Sequence, residues 1–387
     1  MYAFFAEPYG CRPQPLVSEC VRDNDDCFEG DRARCAPRES MTSSSPRASV
    51  VIPAYDAERY IEQAVASALG QSVEDLEVIV VDDASRDATA AIVSRLAERD
   101  HRLQLLRLPV NSGPAAARNR ALSHARGTWV ATLDADDSFA PRRLAALITL
   151  GEENQAEMVS DNVLLCAEDG STPPMPLIPD AALPAPRHLP AAEFIAGNIA
   201  DRGNPRRSYG FMSPIFRRAF LARHQLFYDE RNRFGEDFMF YASCLVRGAR
   251  WWVTPEALYN YTIRGGSLTE VQSAADLRRI RIFDSDLLNR EPLVRADTSL
   301  ARALRRHKSM IDRCYYYREF TDAVKAGEMR QALRVLFDSA SGFRRIVQES
   351  VAQTPAIVAK AWRGGYHRQA FRRAAGKNTG TRSGFTL

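Results

Sequence analysis

From Ala48 onward the apolar and polar positions fall into two alternating periods. The run SVVIPAY, residues 49–55, is apolar and too short for a helix, so it predicts a buried strand that stops at Pro53. After it, DAERYIEQAVASALGQS places Ile61, Ala64, Val65, Ala68 and Leu69 on one helical stripe, with Asp56 as the expected N-cap. LEVIVVDDASRD predicts a second strand ending on Asp82 and Asp83, with a helix through Ile92, Val93 and Leu96 behind it. LQLLRLP, GPAAARNRALSHA and TWVATLD then read as strand, helix and strand. Strands alternating with helices of this length imply right-handed βαβ units and a doubly wound, largely parallel α/β sheet.

In such sheets ligands bind beyond the carboxyl ends of the strands. Those ends carry Pro53 to Asp56, Asp82 and Asp83, Asn111 to Gly113, and Asp134, Asp136 and Asp137. One rim is therefore acidic, and carboxylates this close repel one another and push their pKa values up. A divalent cation with oxygen ligands, Mg²⁺ or Mn²⁺, resolves the conflict. The competing structural explanation is helix capping, with Asp137 or Ser138 closing the helix that begins near Pro141. Neither G-x-G-x-x-G nor G-x-x-x-x-G-K-[ST] follows the first strand, so phosphates are expected to be held by metal and not by a glycine-rich loop.

Five segments in this order resemble the family 2 inverting glycosyltransferases of GT-A fold, especially bacterial enzymes that build surface polysaccharides. They are VVIPAYDAERYI, VIVVDDASRDAT, NSGPAAARNRAL, GTWVATLDADD and FGEDFMF, and the resemblance spans about residues 48–270. It implies a GT-A fold, a doubly wound, mixed and mostly parallel sheet, with a C-terminal helical extension. It implies that Pro53, Tyr55, Asp83 and Asp134 meet the nucleotide-diphosphate sugar, a UDP-sugar by expectation, and that Asp136 or the adjacent Asp137 ligates the metal. Asp237 corresponds to the general base, and Glu236 orients the acceptor or neighbouring backbone. The apolar stripe of Phe238, Tyr241, Ala242 and Leu245 puts both acids in a helix's first turn, behind a hinge or cap at Gly235, and the helix dipole favours acids there on its own account. In ALYNYTIRGGSLT, Arg264 either meets the diphosphate or is an ordinary surface arginine. Arg118 and Asn119 read as structural, and Trp251 and Trp252 as core or acceptor wall. The expected acceptor is a saccharide or lipid-linked saccharide, and the alternative is a non-catalytic sugar-nucleotide-binding relative.

Composition refines this picture in a few places. Of 387 residues 45% are hydrophobic, enough for a large core, and a formal net charge of +4 argues little by itself. No apolar run reaches the ~18 residues of a membrane span, and no secretory leader pattern opens the chain, so a cytoplasmic enzyme is expected. Residues 355–387 carry seven Lys/Arg, no Asp or Glu, and interleaved Trp362, Tyr366 and Phe371. That is the composition of a segment on the anionic inner face of a membrane, and equally of a basic solvated tail. Nucleic acid is not expected as a partner, because the acidic crevice repels phosphate without metal. Cys11, Cys20, Cys27 and Cys35 lack the closely spaced pairs of a zinc site, and residues 1–47 read as a disordered tail with Met41 as the expected start. The proline-rich stretch 171–190 reads as an irregular excursion beside the acceptor cleft, and residues 271–387 as a helical region without a familiar motif.

Overall fold

The computed structural model describes residues 45–199, 209–263 and 273–337. The first part is the expected βαβ winding: β1 (Ala48–Ala54), α1 (Ile61–Leu69), β2 (Leu76–Asp82), α2 (Thr89–Ala97), β3 (Leu103–Arg107), α3 (Pro114–His124) and β4 (Trp129–Thr132). There follow β5 (Ser138–Phe139), α4 (Arg143–Glu153), β6 (Met158–Ala167), β7 (Met175–Pro176), β8 (Arg187–His188), α5 (Ala191–Gly197), β9 (Ile215–Arg217), α6 (Arg218–Arg223), α7 (Glu236–Val246) and β10 (Trp251–Ile263). Helices alone complete the described chain: α8 (Ala274–Arg290), α9 (Pro292–Ala296), α10 (Thr298–Lys325) and α11 (Met329–Phe337).

The strands form one sheet in the order β3-β2-β1-β4-β9-β6-β10-β5, with β7 beside β6 and β8 beside β10. Pairing is parallel from β3 to β4 and between β6 and β10, whereas β9 runs antiparallel to both β4 and β6. The sheet is thus mixed and mostly parallel, with helices packed on it and a helical C-terminal part. Strands β1 and β2 show the near-continuous burial expected of parallel strands covered on both faces.

Several local expectations are corrected. Strand β1 does not stop at Pro53 but continues through it to Ala54. Its neighbour β4 ends at Thr132, opposite Val51, so the N–H that proline lacks breaks no ladder bond on that side. Asp56 does not cap α1, which starts at Ile61 with no side-chain cap. Asp56 instead sits at φ 46° and accepts the Arg86 N–H at 2.8 Å, tying the loop after β1 to the loop after β2. Neither Asp137 nor Ser138 caps α4, because β5 intervenes and the helix begins at Arg143.

The proline-rich stretch is irregular over most of its length, as expected, but it is pinned to the sheet. Its short strands β7 and β8 pair with β6 and β10, it buries Ile178, Leu183 and Leu189, and none of its residues lines the central cleft. Prolines sit comfortably on these short edge pieces because few ladder bonds are needed there.

One core cluster joins the sheet to the C-terminal helices, with Phe194, Phe238, Tyr241, Trp251, Leu277, Ile280 and Leu304 among its buried members. Trp251 is fully buried and donates from Nε1 to the Ser160 hydroxyl at 2.9 Å. The buried Arg143 guanidinium bonds Asp161 at 2.8 Å beneath the rings of Phe139 and Tyr259, locking α4 to β6 just behind the loop that follows β4.

Candidate active site

A cleft of about 890 Å³ opens at the carboxyl ends of β1, β2 and β4. The end of β1 and the loops after β1, β2 and β4 contribute Pro53 to Ala57, Asp83, and Asp134 to Asp136; the first turn of α7 contributes Glu236 and Asp237. Tyr55 is exposed at the rim. Asp83 is buried, and its two carboxylate oxygens accept the backbone N–H groups of Ser112 and Gly113, both at 2.7 Å. Its charge therefore positions the loop leading into α3 while its side chain borders the cavity. Asp82 does not reach the cavity: it is fully buried and accepts from the Ser85 N–H and the Arg107 guanidinium.

The DADD segment divides between two environments. Asp134 and Asp136 line the cleft, whereas Asp137 turns into the sheet edge. There it accepts the Tyr259 hydroxyl at 2.7 Å and the Thr262 N–H at 2.8 Å. Burial, followed by the negative charges of Asp134 and Asp136, raises the Asp137 carboxyl well above the usual carboxylate range. Between the two positions the sequence left open for a metal ligand, only Asp136 faces the cavity. Asp134 and Asp136 offer hard oxygens of the kind Mg²⁺ or Mn²⁺ takes, and a cation between them would relieve the repulsion felt at Asp137. Among the described residues no group of three or more His, Cys, Asp or Glu side chains is arranged to hold a metal, so water and substrate oxygens would have to complete the coordination.

Glu236 and Asp237 open α7, with Gly235 as N-cap in the left-handed conformation at φ 74°. Buried beneath both acids lies Arg118, whose guanidinium reaches Asp134 at 2.8 Å, Glu236 at 3.1 Å and Asp237 at 3.5 Å. Burial disfavours the arginine's charge, but the carboxylates of Asp237, Asp134 and Glu236 outweigh it and hold its pKa well above the ordinary value. At Asp237 burial raises the carboxyl, Arg118 opposes, and the charges of Glu236 and Asp134 add to the rise, leaving it pushed up to about 7.

Arg118, read as structural from the sequence, is the residue on which the acids of the cleft converge. A signal was present: α3 buries an alanine face of Ala115, Ala116, Ala117 and Ala121, and an arginine on that face has to meet countercharge. Asn119 does serve a structural purpose, bonding both the N–H and the carbonyl of Tyr228. Residues of the C-terminal helices also reach the cleft, among them Ile280 of α8 and His307 and Met310 of α10, and no sequence pattern marked them. Arg264 lies outside the described residues, as do the four N-terminal cysteines and the basic tail 355–387.

A mixed, doubly wound sheet with paired acids on two sides of one crevice is the architecture of a GT-A glycosyltransferase. Residues 49–222 match the model of glycosyl transferase family 2. The chain is 36% identical over 284 residues to the succinoglycan biosynthesis protein ExoU of Rhizobium meliloti, covering 73% of this chain and 80% of that protein. It is 37% identical over 248 residues to ExoO of the same organism, covering 64% and 70% respectively. Among solved structures, S. aureus TarS residues 1–349 in complex with UDP-GlcNAc superposes with a TM-score of 0.57 at 21% identity, covering 79% of this chain and 92% of that one, a likeness of fold. The chain belongs to glycosyl transferase family 2. Among the described residues no helix is long and apolar enough to cross a membrane.

Proposed function

We propose that this protein is a metal-dependent inverting glycosyltransferase that moves a sugar from a nucleoside-diphosphate donor to a saccharide hydroxyl during polysaccharide assembly. The observation that carries the reading is the single cleft in which one buried arginine, Arg118, joins the Asp134 side to Glu236 and Asp237. The names of ExoU and ExoO, both succinoglycan biosynthesis proteins, support polysaccharide as the product. The UDP-GlcNAc in the TarS complex supports a UDP-sugar as donor.

In this reading Pro53, Tyr55 and Asp83 border the nucleotide, and Asp134 and Asp136 the diphosphate. A divalent cation held by Asp136 with Asp134 would supply Lewis-acid neutralisation of the departing diphosphate. Asp237 removes the proton from the acceptor hydroxyl while that oxygen attacks the anomeric carbon from the face opposite the diphosphate. The carbon–oxygen bond to the diphosphate breaks in the same displacement, so the anomeric configuration inverts. A base with a pKa near the working pH combines a substantial ionised fraction with useful basicity, and such catalysis contributes about 10²–10⁴-fold. Glu236, fixed on Arg118, holds the first turn of α7 and thereby the direction of the base.

Thermal unfolding with a panel of nucleotide sugars, with and without Mn²⁺, tests the reading, because a ligand at 100 times its Kd stabilises by about 2.7 kcal/mol. A UDP-sugar that raises Tm only with Mn²⁺, and is consumed when saccharide is added, is the expected result. Donor turnover undiminished by excess chelator would overturn the metal-dependent reading.

A further inference from the structure

His307 is an unusual residue to find at the wall of the cleft. It is 3% exposed, its Nδ1 lies 2.8 Å from the Asp284 carboxylate, and its ring stacks on Phe238 with centroids 4.4 Å apart. Asp284 is fully buried and does not border the cavity, so Nδ1 is turned away from it. That leaves Nε2 as the polar atom the ring can offer. A carboxylate that grips one nitrogen fixes the ring's orientation and with it the direction of the other nitrogen.

Its surroundings set what it can bind. Ile280, Met310 and Ile311 border the same part of the wall, making an apolar surface with one fixed polar atom, the usual composition of a small-molecule pocket. Phe238 directly follows Asp237 in α7, so the ring of His307 stacks on the residue next to the proposed base. A hydroxyl suits this atom whichever way the proton on the Asp284 bond sits, because a hydroxyl both donates and accepts.

We propose that His307, positioned by Asp284, forms a subsite in which a hydroxyl of the acceptor saccharide hydrogen-bonds to Nε2 beside the apolar wall of Ile280, Met310 and Ile311. The proposal rests on the glycosyltransferase reading and adds to it a role for the C-terminal helices: they select the acceptor while the strand-end loops hold the donor.

The test uses the full chain, calorimetric titration with UDP and Mn²⁺, and saturation-transfer NMR with cellobiose and methyl β-D-glucopyranoside in the presence of UDP and Mn²⁺. Two variants are compared with the parent, His307→Ala and the double variant Asp284→Leu/His307→Phe. The second replaces a buried polar pair with apolar groups of similar volume, a change that is often neutral for folding, and keeps a ring against Phe238. The expected result is saccharide binding by the parent that weakens at least tenfold in both variants while the Kd for UDP changes less than twofold. Saccharide binding unchanged in the well-folded double variant, or no saccharide binding by a parent that binds UDP, overturns the subsite and leaves the donor reading intact. A parallel loss of UDP affinity in the double variant also overturns it, since His307 would then serve the donor or the fold. Failure of the parent itself to bind UDP would instead count against the glycosyltransferase reading.

Discussion

At the scale of single residues the acids separate by what their oxygens already do. Asp137 has one oxygen on Tyr259 and the other on Thr262 N–H, so a neutral isostere there removes little that a ligand could use. Asp136 and Asp237 both border the cavity, where the proposed donor and acceptor would lie. Asp136→Asn is therefore expected to weaken Mn²⁺-dependent donor binding at least tenfold, and Asp137→Asn less than threefold. Asp237→Asn should keep donor affinity within about twofold yet lower turnover by 10² or more. Titration calorimetry and turnover on the same three proteins check the pattern, and equal loss of donor affinity across them would contradict it. The pH dependence follows from Asp237, whose carboxyl is pushed up to about 7. The base works ionised, so kcat/KM should climb with pH and level off above about 7, falling tenfold per unit on the acid side. Arg118 opposes the rise, so Arg118→Met should move that limb to higher pH; a limb that stays in place or moves down would remove Arg118 from control of the base.

At the scale of elements the helix α7 depends on a glycine for a reason its sequence does not display. Gly235 holds φ 74°, and a Cβ added there would come within 2.9 Å of the Ile280 Cδ1 atom on α8. Gly235→Ala is expected to cost about 1–2 kcal/mol from the backbone alone, with a further loss from the clash and lower turnover as the Glu236–Asp237 turn shifts. Ile280→Val removes the offending methyl, so the double variant should recover the clash part and leave the backbone part. Chemical denaturation of the four proteins in this cycle gives the coupling. The same helix shows what was legible beforehand. Its stripe of Phe238, Tyr241, Ala242 and Leu245 is buried as periodicity implied, and the strand-helix alternation from Ala48 to Thr132 is present element by element. Local rules failed where tertiary contact replaced them: the acids expected as helix caps bond instead to distant backbone, as Asp56 does to Arg86 and Asp137 to Thr262. The prolines of 171–190 do keep most of that stretch irregular, and its two-residue strands at the sheet edge need too few N–H groups to exclude proline.

For the molecule as a whole the question is whether the helices after residue 272 are an appendage or part of the fold that makes the site. Motifs pointed to the acids after β4 and at the start of α7 but not to what supports them, because the contacts of Gly235 with Ile280 and of Phe238 with His307 join segments remote in sequence. The core that contains Phe194, Phe238 and Tyr241 also contains Leu277, Ile280, Leu287, Leu300 and Leu304. Burying one such leucine or isoleucine is worth about 1.5–3 kcal/mol, and five of them together approach the whole stability of a typical domain. A chain cut after residue 272 is therefore expected not to persist as a smaller native enzyme. It should lose its sharp thermal transition, expose the Phe238 face of α7 to solvent, and bind the dye ANS strongly. Calorimetry and ANS fluorescence on that truncation decide the matter. A cooperative transition with unchanged UDP affinity would mean that the strand-end loops fold and bind donor unaided, and that the helices act on the acceptor alone.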